Sequence, residues 1–143
     1  GVDMQNSFHH VLMMAHLSFH KRIMAEAKKL GLTSGQPKIL EFLSENEGVE
    51  QKTIAEHCEI ERASAGSILG RMESAGLIER RREGGNRRSL YVYLTPAGKE
   101  AAANVERIFA DTEKLAFAGL DEKEVEKLFS ALKKVYENTN ANL

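Results

Sequence analysis

The sequence predicts a mainly helical α+β fold that contains a single β-hairpin. Three observations point to it. Apolar residues recur at helical spacing near both ends of the 143-residue chain, two short apolar helical segments separated by about three residues lie between them, and "SLYVYLT" at 89–95 alternates apolar with polar positions. A chain of this length with 42% hydrophobic residues can bury one sizeable core, so residues 1–143 read as a single unit.

From about residue 4 to 30, Phe8, Val11, Leu12, Ala15, Phe19, Ile23 and Ala27 fall on one stripe, a first helix that Gly31 stops. In "LTSGQPKILEFLSENEG", Thr33 is the expected N-cap with Gln36 three residues on, a capping-box spacing, and Ile39, Leu40, Phe42 and Leu43 form the inward side of a second helix. Pro37 is tolerated near its first turn, where amides have no helical acceptor. A third helix covers about 50–58 around Ile54, Ala55 and Cys58. A fourth runs from about Arg62 to Ala75, with Ala65, Ile68, Leu69 and Met72 inward and Gly76 beyond its end. Two short helices joined by so tight a turn make a helix-turn-helix. "LIERRR" and the alternating segment then flank a loop holding Gly84 and Gly85, a hairpin. Thr95 and Pro96 open a fifth helix with Val105, Ile108, Phe109, Thr112, Leu115 and Ala116 on one side. Asp121 opens a sixth, with Val125, Leu128, Phe129, Leu132, Val135 and Tyr136 at amphipathic spacing.

Formal net charge is only -1, so any argument from charge must be local. Seven of the nine arginines (Arg62, Arg71, Arg80, Arg81, Arg82, Arg87, Arg88) lie between residues 61 and 88 against four glutamates, which makes that window net +3. It covers the fourth helix and the hairpin. A helix-turn-helix followed directly by a hairpin is a winged helix, and each part suits double-stranded DNA. The fourth helix turns Ala63, Ser67, Gly70 and Ser74 away from its apolar side, with Ser64, Gly66 and Arg71 on the flanks. A face without bulk lies deep in a major groove roughly 12 Å wide, where hydroxyls and amides reach phosphates and base edges. Gly84 and Gly85 let the loop bend, and Arg87 or Arg88 can project into the narrow, electronegative minor groove. Arg80, Arg81 and Arg82 cannot all point one way on a strand, so one or two meet phosphates or acids such as Glu79 and Glu83. Small residues also suit helix–helix packing, and charge runs are often only solvated faces. Their coincidence on adjacent elements favours DNA. The expected DNA contacts are Arg62, Ala63, Ser64, Gly66, Ser67, Arg71, Arg82, Asn86, Arg87 and Arg88.

At these residues the sequence resembles the MarR (multiple antibiotic resistance regulator) family. "LTSGQPKILEFL", "QKTIAEHCEIERASAGSILGRMESAGLIERR" and "NRRSLYVYLTPAG" are similar to its winged-helix core over 32–98, and 1–31 and 99–143 to its helical dimerisation region. Arg88, Leu94, Thr95 and Gly98 fit the family's wing signature, while Asn86 stands where the family has an Asp that fixes the wing arginine. Glu59 and Glu61 occupy turn positions that often hold Gly and Ser there, and Cys58 a position where relatives usually carry Leu. The resemblance implies a homodimeric regulator, most often a repressor, that reads a pseudo-palindromic operator and releases it when a small-molecule effector binds. It nominates His16, Phe19, His20, Phe42 and Phe109 as walls of an effector pocket between the dimerisation helices and the winged helix.

The competing reading is a winged-helix module that binds protein, and it predicts an apolar patch on the Ala63 to Ser74 face, where the sequence is small and polar. His16 and His20 at i and i+4, with His9 one heptad earlier, have a spacing that suits Zn²⁺. No acid or Cys is clearly placed to complete a set, so we expect a polar helix face and neither metal nor cofactor. Cys58 has no disulfide partner and ends an apolar helix, which favours a buried small hydrophobe over a redox switch. No nucleophile–base pair or phosphate loop suggests an enzyme. With no signal-like or membrane-length apolar run, the expected setting is a reducing cytoplasm.

Overall fold

The computed structural model describes residues 7–83 and 89–143. In chain order it forms α1 (Phe8–Lys29), α2 (Gln36–Glu45), β1 (Val49–Glu50), α3 (Gln51–His57), α4 (Arg62–Ser74), β2 (Ile78–Arg81), β3 (Tyr91–Leu94), α5 (Pro96–Ala116) and α6 (Glu122–Asn140). This is a mainly helical winged helix-turn-helix. α3 and α4 are the helix-turn-helix pair, and β2 with β3 forms the base of the wing.

Two features differ from the sequence expectation. The sheet has three antiparallel strands in the order β1-β3-β2, and β1 pairs Val49 with Val92 and Glu50 with Tyr91. Two residues are too few to show a period. The second difference is at the start of α2, which begins at Gln36 behind Gly35 in the left-handed conformation (φ 87°), not behind Thr33. A turn closed by the Gln36 amide on the Thr33 carbonyl (3.1 Å) intervenes. Only one half of the capping box forms, the Gln36 side chain accepting from the Thr33 amide at 3.1 Å.

The core is built around α2. Ile39, Leu40 and Leu43 are fully buried against Ile54 of α3, Leu69 and Met72 of α4, Ile78 and Val92 of the sheet and Val105 of α5. Each such side chain contributes about 1.5–3 kcal/mol relative to exposure. α4 thereby sends its apolar side into this core. At the other end of the molecule, α1 buries only Ile23 and Ala27, and α6 buries no residue. α6 is well started all the same, since Asp121 and Glu124 form a reciprocal capping box.

Candidate nucleic-acid interface

α4 presents Arg62, Ala63, Ser64, Ser67, Arg71 and Ser74 to solvent, whereas Ala65, Ile68, Leu69 and Met72 are buried. Gly66 and Gly70 are half covered. Gly66 lies in open space, while a Cβ on Gly70 would stand 3.8 Å from the Arg80 guanidinium, so Gly70 belongs to the flank that meets the wing. Arg62 lies a loose 3.8 Å from Glu56, both side chains being well exposed.

The strand arginines divide by the alternation of β2. Arg80 turns toward α4, its Nε and one terminal nitrogen donating to Glu73 Oε1 at 3.3 and 3.1 Å and the other donating to Gln51 Oε1 at 2.9 Å. Its amide also donates to Glu73 Oε2 at 3.1 Å. α4, the wing strand β2 and the start of α3 thus share one guanidinium, which holds the Glu73 carboxyl below its ordinary pKa. Arg81 points to the opposite face. It donates to Glu79 at 2.8 Å and lies 4.3 Å from the centre of the Tyr93 ring, whose hydroxyl donates to Glu83 at 2.6 Å. Arg80 and Arg81 are therefore committed within the protein, and sequence reasoning missed Glu73 and Gln51 as the partners. Arg82 is exposed at the end of β2. Asn86, Arg87 and Arg88 lie outside the described residues.

The "LTPAG" segment anchors the wing. Thr95 Oγ1 donates to the Gly76 carbonyl at 2.6 Å and accepts from the Gly98 amide at 3.0 Å, and the Thr95 amide donates to the Leu77 carbonyl at 3.0 Å. One residue thus ends β3, caps α5 and fastens both to the chain leaving α4. A Cβ on Gly98 would overlap the Leu77 carbonyl, so only glycine allows so close an approach.

The MarR family model matches residues 30–89, the span from the end of α1 to just before β3. Over this span the chain resembles the MarR family. Over 106 residues it is 28% identical to a protein named as a transcriptional regulatory protein for the hcr operon of Thauera aromatica, covering 74% of this chain and 64% of that one. It is 29% identical over 108 residues to the transcriptional regulator HosA of Escherichia coli O127:H6, covering 76% and 79%. The transcriptional repressor CouR, solved bound to a 23-mer DNA duplex, superposes with a TM-score of 0.84 at 25% identity, covering 94% of this chain and 98% of that one.

In this chain, His16, Phe19, His20 and Phe109 come together along a cavity of about 500 Å³ between α1, α2, α5 and the turn before α4. Lys38, Glu59 and Glu61 also line it. Phe42, nominated with them, lies apart. It stacks on His57 with ring centres 4.4 Å apart and lines a second cavity of about 500 Å³ beside Cys58. His16 and His20 stack on each other at 6.1 Å, and Ser7 Oγ lies 3.0 Å from His9 Nδ1. Among the described residues no group of three His, Cys, Asp or Glu side chains is placed to hold a metal ion. A third, apolar cavity of about 710 Å³ runs between α1 and α6, lined by Phe8, Val11, Leu12, Leu128, Phe129 and Leu132. No helix among the described residues is long and apolar enough to cross a membrane.

Proposed function

We propose that the chain is a homodimeric, sequence-specific regulator of transcription that binds double-stranded DNA in the cytoplasm and acts as a repressor. α4 enters the major groove, using Arg62, Ala63, Ser64, Gly66, Ser67 and Arg71. The wing follows the minor groove through Arg87 or Arg88, with Arg82 and Asn86 beside them. The observation that carries this reading is the exposed face of α4, small and hydroxyl-bearing between two arginines and flanked by a wing locked to it through Arg80. CouR, of the same fold, is a repressor solved on a duplex. A dimer follows from the apolar surface left on α1 and α6, and it sets two α4 helices to read half-sites about 34 Å apart. The cavity between α1 and the turn before α4 is the place for a small-molecule effector, which releases DNA only if it binds one spacing of the two heads better than the other.

The test is fluorescence anisotropy on DNA upstream of the chain's own gene, across a salt series. Arg71→Ala and Arg88→Ala should each weaken binding and lower the log-log salt slope by about 0.9 per lost phosphate contact. Unchanged affinity and slope in both variants would discard the interface.

A further inference from the structure

The turn that leads into α4 holds its central residue in a costly conformation. The Ile60 amide donates to the Ala55 carbonyl at 2.9 Å and the Glu59 amide to the Glu56 carbonyl at 3.4 Å, a helix ending that requires a left-handed residue between them. Glu59 supplies it with φ 54°, where glycine would meet no Cβ penalty. The Glu59 side chain is engaged far along the chain. Tyr136 Oη, on α6, donates to Glu59 Oε1 at 2.7 Å across 77 positions. A phenol on a carboxylate is a directional, charge-assisted bond. It also keeps the Tyr136 hydroxyl above its ordinary pKa, because ionisation would forfeit the hydrogen bond and set two anions together. α6 has no buried residue, so the bond ties a peripheral helix to the turn. Tyr136 stands one helical turn beyond Leu132, at the end of the apolar face we assign to the second copy. Arg62, the first residue of α4, follows Glu59 by three positions.

We propose that Glu59 is a positioning residue: through Tyr136, the placement of α6 sets the orientation of the turn that leads into the recognition helix. The inference rests on the reading of α4 as the DNA-reading helix and of α6 as a dimer helix. Pairing of two copies fixes α6, and the bond passes that placement to each head, so both heads are held at one spacing. A glycine at 59 would make a more relaxed turn and lose this link.

The test compares wild type with Tyr136→Phe, Glu59→Gly and the double variant. Hydrogen exchange at the Ile60 amide should be about fivefold faster in Tyr136→Phe. On duplexes selected by the wild type from a random-sequence library, the preference for a two-fold site over its isolated half should fall about fivefold in each single variant and no further in the double variant. Half-site affinity and sedimentation as a dimer should be unchanged. Glu59→Gly should keep or raise Tm while losing the preference, whereas a merely structural role would lower Tm and weaken both duplexes together. Wild-type exchange at Ile60 in Tyr136→Phe, or additive losses in the double variant, would overturn the proposal. A wild type that selects no duplex overturns the DNA reading, a failure that the exchange arm tells apart from a failure of the link.

Discussion

Glu41 on α2 stands close to carboxylates of α5. Partial burial, then Glu113, Glu106 and its neighbour Glu45, raise its pKa. A raised acid favours the protonated folded state, so its stabilising contribution is complete below the ordinary glutamate pKa and is lost as pH rises through the raised one. Glu41→Gln should therefore raise Tm by about 1–2 °C at pH 7 and leave it unchanged near pH 4, measured by calorimetry at both values. Cys58 is also shaped by burial, which pushes its thiol up while Sγ donates to the Lys38 carbonyl at 3.7 Å. That is the environment of a small hydrophobe, as the apolar helix around it suggests. Legibility at this scale depends on sequence distance. The alternation of a strand separates Arg80 from Arg81 and names Glu79 as a partner. The links from Arg80 to Gln51 and from Tyr136 to Glu59 span 29 and 77 positions and arise only when the helices are packed.

At the scale of elements, the wing depends on its anchor. Gly98→Ala drives a methyl group into the Leu77 backbone carbonyl, which cannot move without disturbing the Thr95 amide that donates to it. We expect a loss of about 2–4 kcal/mol in urea unfolding, far above the usual effect of adding a methyl group at the start of a helix. The long helices are legible because each repeats an apolar spacing over several turns and carries a start or stop signal, as Thr95, Asp121 and Gly31 do. β1 was not, being two residues whose strand character comes wholly from β3 beside it. The start of α2 was misplaced because Thr33 and Gln36 fit a cap by spacing, while the chain uses them to frame a turn. The face of α4 could be read from the sequence, since a helix held by Ala65, Ile68, Leu69 and Met72 leaves its opposite side to solvent.

For the whole molecule, the unpaired apolar surface is the dominant fact. Phe8 is 62% exposed and Phe129 53%, on helices that contribute little or nothing to the core. If a second copy covers them, Tm rises with protein concentration, as mass action requires. Phe129→Glu should abolish that dependence and shift sedimentation to the monomer; a concentration-independent wild-type Tm would refute the dimer. The surplus was visible in the sequence as three amphipathic stripes too many for one small head, although which faces meet was not. The sheet order has a further consequence. Because β3 lies between its neighbours, β2 is an outer edge, the kind of strand that recruits strands from other molecules. Its Arg80 amide is already taken by the Glu73 carboxylate, and two successive arginines would face their own likeness on an incoming copy. The two arginines that brace the wing from within thus also make its outer strand a poor template for a second copy, which disfavours the stitching of wings into a shared sheet.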